Sequence, residues 1–170
     1  CRQQDESGIT DYDYDAWGNI TSQTHTELGI DYITDYQYDN GNRLNHITYP
    51  SGREITLTRD ALRRLKSLDA TVNGTQQTLI SDTQYRSDNQ MTQCTLGNGL
   101  IDNRDYDQQG RLQKQSLTTE LGSILDQRDY SYDKNGNIID IDSNIYDNAY
   151  QYDALDRLIE QLQDTQSPTQ

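Results

Sequence analysis

A seven-residue pattern recurs seven times along the chain and constrains its fold more than any other feature. The copies begin at Tyr14, Tyr38, Arg59, Tyr85, Tyr106, Tyr132 and Tyr152. The first position is tyrosine in six copies, the second is aspartate in six, and the seventh is leucine, isoleucine or methionine in all seven. Successive copies start 20 to 26 residues apart. A fixed period of this length indicates stacked copies of one small unit.

Each copy contains the residues of a tight turn. Aspartate at the start of a four-residue turn accepts hydrogen bonds from backbone N–H groups two or three residues later, which favours a type I turn. The fifth position then needs a left-handed backbone, and it is glycine, asparagine or aspartate in six copies, with Arg63 as the exception. The residues predicted to build these turns and the strands beside them include Tyr14, Asp15, Gly18, Tyr38, Asp39, Tyr106, Asp107, Gly110, Tyr132, Asp133, Gly136, Tyr152 and Asp153.

The segments on either side of each turn have the character of β-strands. The tyrosine before the turn and the aliphatic residue after it are placed to pair across a hairpin, so that one repeat predicts one hairpin. The predicted fold class is all-β, with tandem antiparallel β-hairpins forming a curled strip over residues 8–162. Residues 163–170 are polar, contain Pro168 and are predicted to be a disordered tail.

Short and long steps between copies alternate along the chain. The short steps contain tight turns at residues 49–53 and 96–100, whereas we expect fuller connections at residues 71–78 and 119–125. Successive turns should therefore fall alternately on the two edges of the strip. Residues 61–68 look amphipathic and invite a helical interpretation, but they align with a turn and a strand of the other copies, which favours β-structure.

Composition alone would favour disorder, and it excludes some partners. Leu, Ile, Val and Phe make up about 18% of the residues, and the net charge is -14. The regular spacing of the tyrosine and aliphatic residues outweighs this compositional argument, because a disordered chain does not need a regular spacing. With 28 carboxylates against 14 Lys and Arg, nucleic acid and anionic membranes are poor partners. The sequence shows neither a membrane span nor a signal peptide.

The residues that could carry chemistry are few. Cys94 is predicted to be a small core residue, whereas Cys1 suits either a lipidated N-terminus or the start of a truncated chain. His25 and His46 do not stand at zinc-ligand spacing from Cys94. Alternating Asp11, Asp13 and Asp15 would suit a hard cation, as would Asp140, Asp142 and Asn144. The second cluster is not an EF-hand, because Ile145 and Gln151 stand where that loop needs Gly and Glu. We predict no catalytic residue, no cofactor and no metal site.

Trp17 is the best single candidate for contact with a ligand. Its place in the turn is taken by Asn, Leu, Asp or Gln in five of the six other copies. Aromatic rings beside Asp and Asn are typical of a sugar-binding surface, but the same rings also pack against a hairpin.

The pattern Tyr-x-Tyr-Asp-x-x-Gly-Arg/Asn-Leu/Ile resembles the YD repeats of bacterial Rhs proteins, insecticidal toxin-complex C components and animal teneurins. Residues 130–138 carry it in full, and residues 36–44 carry it with Asn42 in place of the glycine. The resemblance covers residues 8–162 and implies a β-sheet that spirals into a hollow shell, which in bacterial members encloses a C-terminal toxin. The family's self-cleaving segment has an Asp-Pro-x-Gly-type motif, and neither Pro50 nor Pro168 follows an aspartate.

The resemblance implies a non-enzymatic structural segment of a secreted or surface-exposed bacterial protein, forming part of a β-shell around a toxin or other cargo. The implied partners are the remainder of the same polypeptide or neighbouring repeats, and an encapsulated C-terminal toxin. The alternative is a module that binds carbohydrate or another cell-surface partner. Open strand edges also predict association between copies.

Overall fold

The computed structural model describes residues 2–5 and 8–165, in which all regular structure is β-strand. The strands are β1 (Arg2–Asp5), β2 (Gly8–Tyr14), β3 (Ile20–Glu27), β4 (Ile30–Tyr38), β5 (Leu44–Thr48), β6 (Glu54–Arg59), β7 (Leu65–Val72), β8 (Thr75–Tyr85), β9 (Met91–Leu96), β10 (Ile101–Tyr106), β11 (Leu112–Thr118), β12 (Ile124–Tyr132), β13 (Ile138–Ser143), β14 (Tyr146–Tyr152) and β15 (Leu158–Thr165). The predicted all-β class is confirmed. Within these described residues, no helix is long and apolar enough to cross a membrane.

The chain divides into two compact units, Cys1–Ser81 and Asp82–Gln170, and the division falls within β8. In each unit the strands lie side by side in chain order, without a crossover, and the described pairings are antiparallel. The tandem antiparallel hairpins predicted from the repeat are therefore present.

The strands extend beyond the predicted repeat array at both ends. β1 begins at Arg2, ahead of the expected start at residue 8. β15 continues to Thr165, so the first three residues of the predicted disordered tail belong to a strand. Residues 166–170 and Cys1, with its two interpretations, lie outside the described residues.

The first and seventh positions of the repeat face each other across the hairpins. The pairs are Tyr14↔Ile20, Tyr38↔Leu44, Arg59↔Leu65, Tyr106↔Leu112, Tyr132↔Ile138 and Tyr152↔Leu158. Directly before the first-position residue the register shifts, as between Ser131 and Tyr132. Each such pair of a large side chain with an aliphatic one contributes about 0.2–1 kcal/mol to the sheet.

The long steps between repeats differ from the short ones in their strands. The connection expected at residues 71–78 is a two-residue turn, Asn73-Gly74, with φ values of 52° and 75°. β7 and β8 around it have 8 and 11 residues, whereas β5 and β6 of a short step have 5 and 6. The expected fuller connection at 71–78 is wrong because Asn-Gly adopts the tightest hairpin turn.

Few apolar side chains are completely buried. Among the described residues the buried apolar ones are Ala70 and Cys94, each 3% exposed. Most tyrosine and aliphatic side chains of the strands are half-buried, because they pack against neighbours along a sheet face without a second layer above them. Each unit is thus stabilised mainly by strand pairing and by contacts between adjacent side chains.

Candidate functional site

The aspartate at the second position of the repeat organises its turn. The Oδ1 atom of Asp133 accepts hydrogen bonds from the backbone N–H groups of Asn135 and Asn137, both at 2.9 Å. Asp15, Asp39, Asp107 and Asp153 repeat this arrangement in their own turns. The carboxylate therefore bonds to the N–H groups two and four positions later, and the bond four positions later was not predicted. The N–H group three positions on, at Gly136, donates to the Asp133 carbonyl over 3.3 Å.

The left-handed fifth position is present in every copy. Its φ values lie between 59° and 93° at Gly18, Asn42, Arg63, Asn89, Gly110, Gly136 and Asp156. Arg63 is the exception to the residue types expected at this position, and it also adopts a left-handed backbone, with a φ of 72°. Its N–H group donates to the Asp60 carbonyl at 2.9 Å, as the turn requires. We assign this position a cost of about 1 kcal/mol, since left-handed backbone is strained for a residue with a Cβ.

The sixth position completes the turn, a role that was not predicted from the sequence. The Nε atom of Arg111 donates to Oδ2 of Asp107 over 2.6 Å, and the side-chain amide of Asn137 donates to Oδ2 of Asp133 over 2.9 Å. A signal was present in the sequence. The single copy with Arg86 in place of the aspartate also has Gln90, where every other copy has Arg or Asn.

These hydrogen bonds hold the turn aspartates in their ionised form. The side-chain bond from Asn137 is the main cause of the lowered pKa of Asp133, and the bond from Arg157 has the same effect on the pKa of Asp153. At Asp107, burial is the largest single influence and raises the pKa. The backbone and side-chain bonds from Arg111 together outweigh it, so that the pKa of Asp107 is lowered overall. Carboxylates engaged in this manner are suited to holding a turn.

The first-position side chain links a repeat to the preceding one. The hydroxyl group of Tyr132 donates to the backbone carbonyl of Leu112 over 2.6 Å, and Leu112 is the seventh residue of the copy before. The same bond joins Tyr38 to Ile20, Tyr106 to Met91 and Tyr152 to Ile138, over 2.8–2.9 Å. The roles predicted for the tyrosines were packing and contact with a ligand, and this hydrogen bond was not predicted. In both units, the repeat therefore contains the side chain that joins it to the preceding copy.

A groove between the first two turns is the best candidate for a ligand contact. It is lined by Trp17, Tyr36, Tyr38, Asp39, Asn40 and Asn42. The indole of Trp17 is 79% exposed, and the side-chain amide of Asn19 donates to that of Asn42, which bridges the two turns. Trp17 therefore stands beside two tyrosines and several amide and carboxylate groups. We call this the Trp17 groove.

The second unit has a groove at the equivalent place, between the fifth and sixth turns. Tyr106, Gln109, Arg111, Gln113, Tyr130 and Tyr132 line it. There the guanidinium carbon of Arg111 lies 4.4 Å from the centre of the Tyr132 ring, so that a cation stacks on that ring. In the Trp17 groove the corresponding positions are Trp17 and Asn19 in place of Gln109 and Arg111. The two grooves share their position in the repeat and differ in chemistry.

The acidic stretches do not converge on a metal site. Among the described residues, no group of three or more His, Cys, Asp or Glu side chains is placed to hold a metal ion. Asp11 forms an ion pair with Arg2 at 2.8 Å, and Asp15 accepts the Asn19 amide at 2.8 Å. Burial, and then the nearby charge of Asp147, raise the pKa of Asp142.

Comparison with known proteins gives matches only among solved structures. No protein-family model matches the chain, and no curated protein matches it. The crystal structures of TcdB2-TccC3-Cdc42 and of TcdB2-TccC3 without its hypervariable C-terminal region both match with a TM-score of 0.84 and 23% identity over 94% of this chain. The chain spans about a tenth of the length of these structures, 9% in both cases. At this identity the similarity shows the fold.

Proposed function

We propose that this chain is a non-enzymatic structural YD-repeat segment that forms part of a β-shell enclosing a toxin or other cargo. The observation that carries the proposal is the hydrogen bond from the first-position side chain to the seventh-position carbonyl of the copy before. This bond recurs in both units, with donors as far apart as Tyr38 and Tyr152. A connector of this kind allows a sheet to be lengthened by one hairpin at a time, which is what a wall requires.

The thin core supports the same function. A sheet with so few buried apolar side chains has two faces that remain accessible, as a wall has an inner and an outer surface. The similarity to TcdB2-TccC3 adds support, because one of the matching structures is distinguished by the absence of a hypervariable C-terminal region. A variable segment that is joined to a constant wall would correspond to an exchangeable cargo.

The chemistry of the turns is consistent with a structural role. The second-position aspartates, which are the most regular carboxylates of the chain, already accept two backbone hydrogen bonds and one from a side chain, as at Asp133. We therefore propose no catalytic residue and no cofactor. The proposed partners are the remainder of the polypeptide and its neighbouring repeats, and the proposed location is outside a bacterial cell or on its surface.

The test is protection of the cargo. The complete reading frame that encodes residues 1–170 would be expressed, and the segments that follow the repeats would be exposed to a protease with and without urea. We expect further repeats in that frame, and cleavage of the following segment only when urea opens the wall. A reading frame without further repeats, or cleavage as rapid as that of the segment expressed alone, would overturn the proposal.

Carbohydrate binding at the Trp17 groove is a second candidate function, and the exposure of Trp17 favours it. An indole that packs against a sheet would be covered, whereas Trp17 presents its ring beside Asn40 and Asn42. Sugars bind to such sites through their C–H faces on the ring and their hydroxyl groups on the amides. A glycan array with the whole chain tests this. Trp17→Ala should abolish binding, and Gln109→Ala, at the equivalent turn position, should leave it intact; an unchanged signal with Trp17→Ala would exclude the groove.

A further inference from the structure

The hairpin of β3 and β4 extends beyond the neighbouring hairpin of β5 and β6. β4 pairs with β3 from Ile30 onward, but its pairing with β5 begins only at Asp35↔Thr48. Residues 30–34 of β4 therefore have a paired strand on one side only, within the described part of the chain. This recess lies at the edge opposite the repeat turns, and we call it the β4 notch.

The backbone of β4 presents hydrogen-bonding groups to the notch. Leu28 and Gly29 form a two-residue turn with φ values of 51° and 77°, so Glu27 and Ile30 are the first hydrogen-bonded pair. Because such pairs alternate along an antiparallel ladder, Asp31 and Ile33 direct their N–H and C=O groups away from β3. On the β5 side the chain continues into Pro50, which has no N–H group to offer them.

The second unit closes the equivalent edge with a single side chain. β12 also extends beyond its neighbour β13, and Asn144 lies in the space. Its Nδ2 atom donates to the carbonyl of Leu125 over 3.2 Å, and its Oδ1 atom accepts the N–H of Gln127 over 2.9 Å. A side-chain amide with one donor and one acceptor reproduces the peptide group of an added strand.

Alignment of the two hairpins shows why the β4 notch stays open. When Tyr38 is matched with Tyr132, Asp31 and Ile33 fall on Leu125 and Gln127. The pairs Tyr36↔Ile47 and Tyr130↔Ile141 then match, and three residues later Pro50 stands where Asn144 stands. Proline has no side-chain amide, so these backbone groups of β4 remain available to a partner from elsewhere, as on any open strand edge.

The surroundings of the notch define the chemistry of that partner. Tyr32, Tyr49, Pro50 and Ile55 form an apolar depression beside it, with Arg53 at the rim. The rings of Tyr32 and Tyr49 are 43% and 39% exposed. Among the described residues no carboxylate forms an ion pair with Arg53, although the chain carries a net charge of -14. A cation that forms no ion pair in so acidic a chain favours an acidic ligand.

We propose that the β4 notch binds an extended acidic peptide of a separate polypeptide as an added strand. The peptide backbone pairs with Asp31 and Ile33, an aromatic or aliphatic side chain enters the depression, and a carboxylate two residues away reaches Arg53. Two paired residues and one side-chain contact correspond to a dissociation constant on the order of 0.1–1 mM.

The experiment is an NMR titration of the whole chain with the capped pentapeptide acetyl-TYTDT-amide. We expect the amide signals of Asp31 and Ile33 to shift and those of Leu125 and Gln127 to remain in place. Peptides methylated at each backbone nitrogen in turn give the sharper readout. Methylation at alternate positions should weaken binding about tenfold, and methylation at the positions between should have little effect, because only alternate N–H groups face β4.

Two variants complete the test. Arg53→Gln should weaken binding about two- to fivefold, as expected for loss of an exposed ion pair, while Lys134→Gln in the second unit is the matched control and should change nothing. Signal dispersion shows that both variants remain folded. Absence of shifts at Asp31 and Ile33 at millimolar peptide, or equal effects of all methylations, would overturn the proposal. Shifts of the same two signals with protein concentration alone would assign the notch to a second copy and also overturn it.

Discussion

The guanidinium group of Arg59 donates a hydrogen bond from Nη2 to the backbone carbonyl of Leu44 over 3.2 Å. In the second copy the hydroxyl group of Tyr38 makes the equivalent bond to Ile20 over 2.9 Å. Arginine and tyrosine are both long side chains that end in a donor. The connection between repeats therefore depends on a donor at a given distance from the backbone, and an aromatic ring is not required for it.

Tyr132→Phe should destabilise the protein, because it removes the hydroxyl donor to Leu112 and retains the ring. We expect the free energy of unfolding to fall by about 0.5–1.5 kcal/mol. The measurement is the midpoint of urea unfolding followed by circular dichroism. Tyr14→Phe is the matched control, since Tyr14 is 48% exposed and, within the described residues, its hydroxyl group makes no hydrogen bond. Equal losses in the two variants would show that the bond contributes nothing.

Arg59→Tyr should stabilise the protein, because it restores the usual first-position residue. The Nε atom of Arg59 is buried without a hydrogen-bond partner, and tyrosine has no such group. We expect a gain of about 0.5–1 kcal/mol in the free energy of unfolding. Arg59→Leu removes the donor to Leu44 as well as the unpartnered Nε atom, and it should therefore reduce stability. A urea midpoint that falls with Arg59→Tyr would contradict the equivalence of the two side chains.

Gly110→Val should destabilise the fifth turn. Gly110 has a φ of 79°, and a branched side chain is strained in that region. The free energy of unfolding should fall by about 1 kcal/mol or more, measured as a lower melting temperature. Gly110→Asn is the control, because asparagine tolerates the left-handed backbone, as Asn42 and Asn89 do here. An unchanged melting temperature with Gly110→Val would refute the turn geometry.

Stability should decrease in acid because the turn aspartates have lowered pKa values. The side-chain bonds from Asn137 and Arg157 lower the pKa of Asp133 and Asp153 in the folded chain. The unfolded chain then binds more protons, so this stabilisation is complete above the ordinary aspartate pKa of about 4 and is lost as the pH falls below it. Urea midpoints at neutral pH and in a series of acidic buffers check this.

Asp133→Asn should flatten that acid dependence, because one of the contributing carboxylates is gone. Asp142 acts in the opposite direction. Burial and the charge of Asp147 raise its pKa, so its protonation relieves an unfavourable charge as the pH falls. Asp142→Asn should therefore steepen the loss of stability in acid. An identical acid dependence in both variants would rule out this assignment.

The local parts of the fold could be predicted from the sequence because local rules determine them. The pairing of Tyr132 with Ile138 and the left-handed backbone at Gly136 follow from turn chemistry within seven residues. Arg63 shows that the repeat overrides the preference of a single residue, since its backbone follows the other copies. Asn73-Gly74 could also have been predicted to form a two-residue hairpin turn. The extra residues of this long step lie in the strands β7 and β8, and not in the connection between them.

The contacts between repeats could not be predicted in the same way. The bond from Tyr132 to Leu112 joins residues that are 20 positions apart, and it depends on where two separate hairpins lie relative to each other. The Trp17 groove likewise needs Tyr36 and Asn42 of the next copy, although Trp17 itself was identified from its unusual place in the turn. The β4 notch depends on the unequal lengths of β4 and β5, which the repeat pattern does not encode.

The bonds that first-position side chains make to the preceding repeat have a direction along the chain. In each of these bonds the acceptor carbonyl lies earlier in the sequence than the donor, by 20 residues for Tyr132 and 14 for Tyr152. During synthesis on the ribosome, every acceptor has therefore left the exit tunnel before its donor does. Because each new contact is local, a hairpin can settle on its finished predecessor without waiting for distant segments. The chain is thus suited to folding in the order in which it is translated.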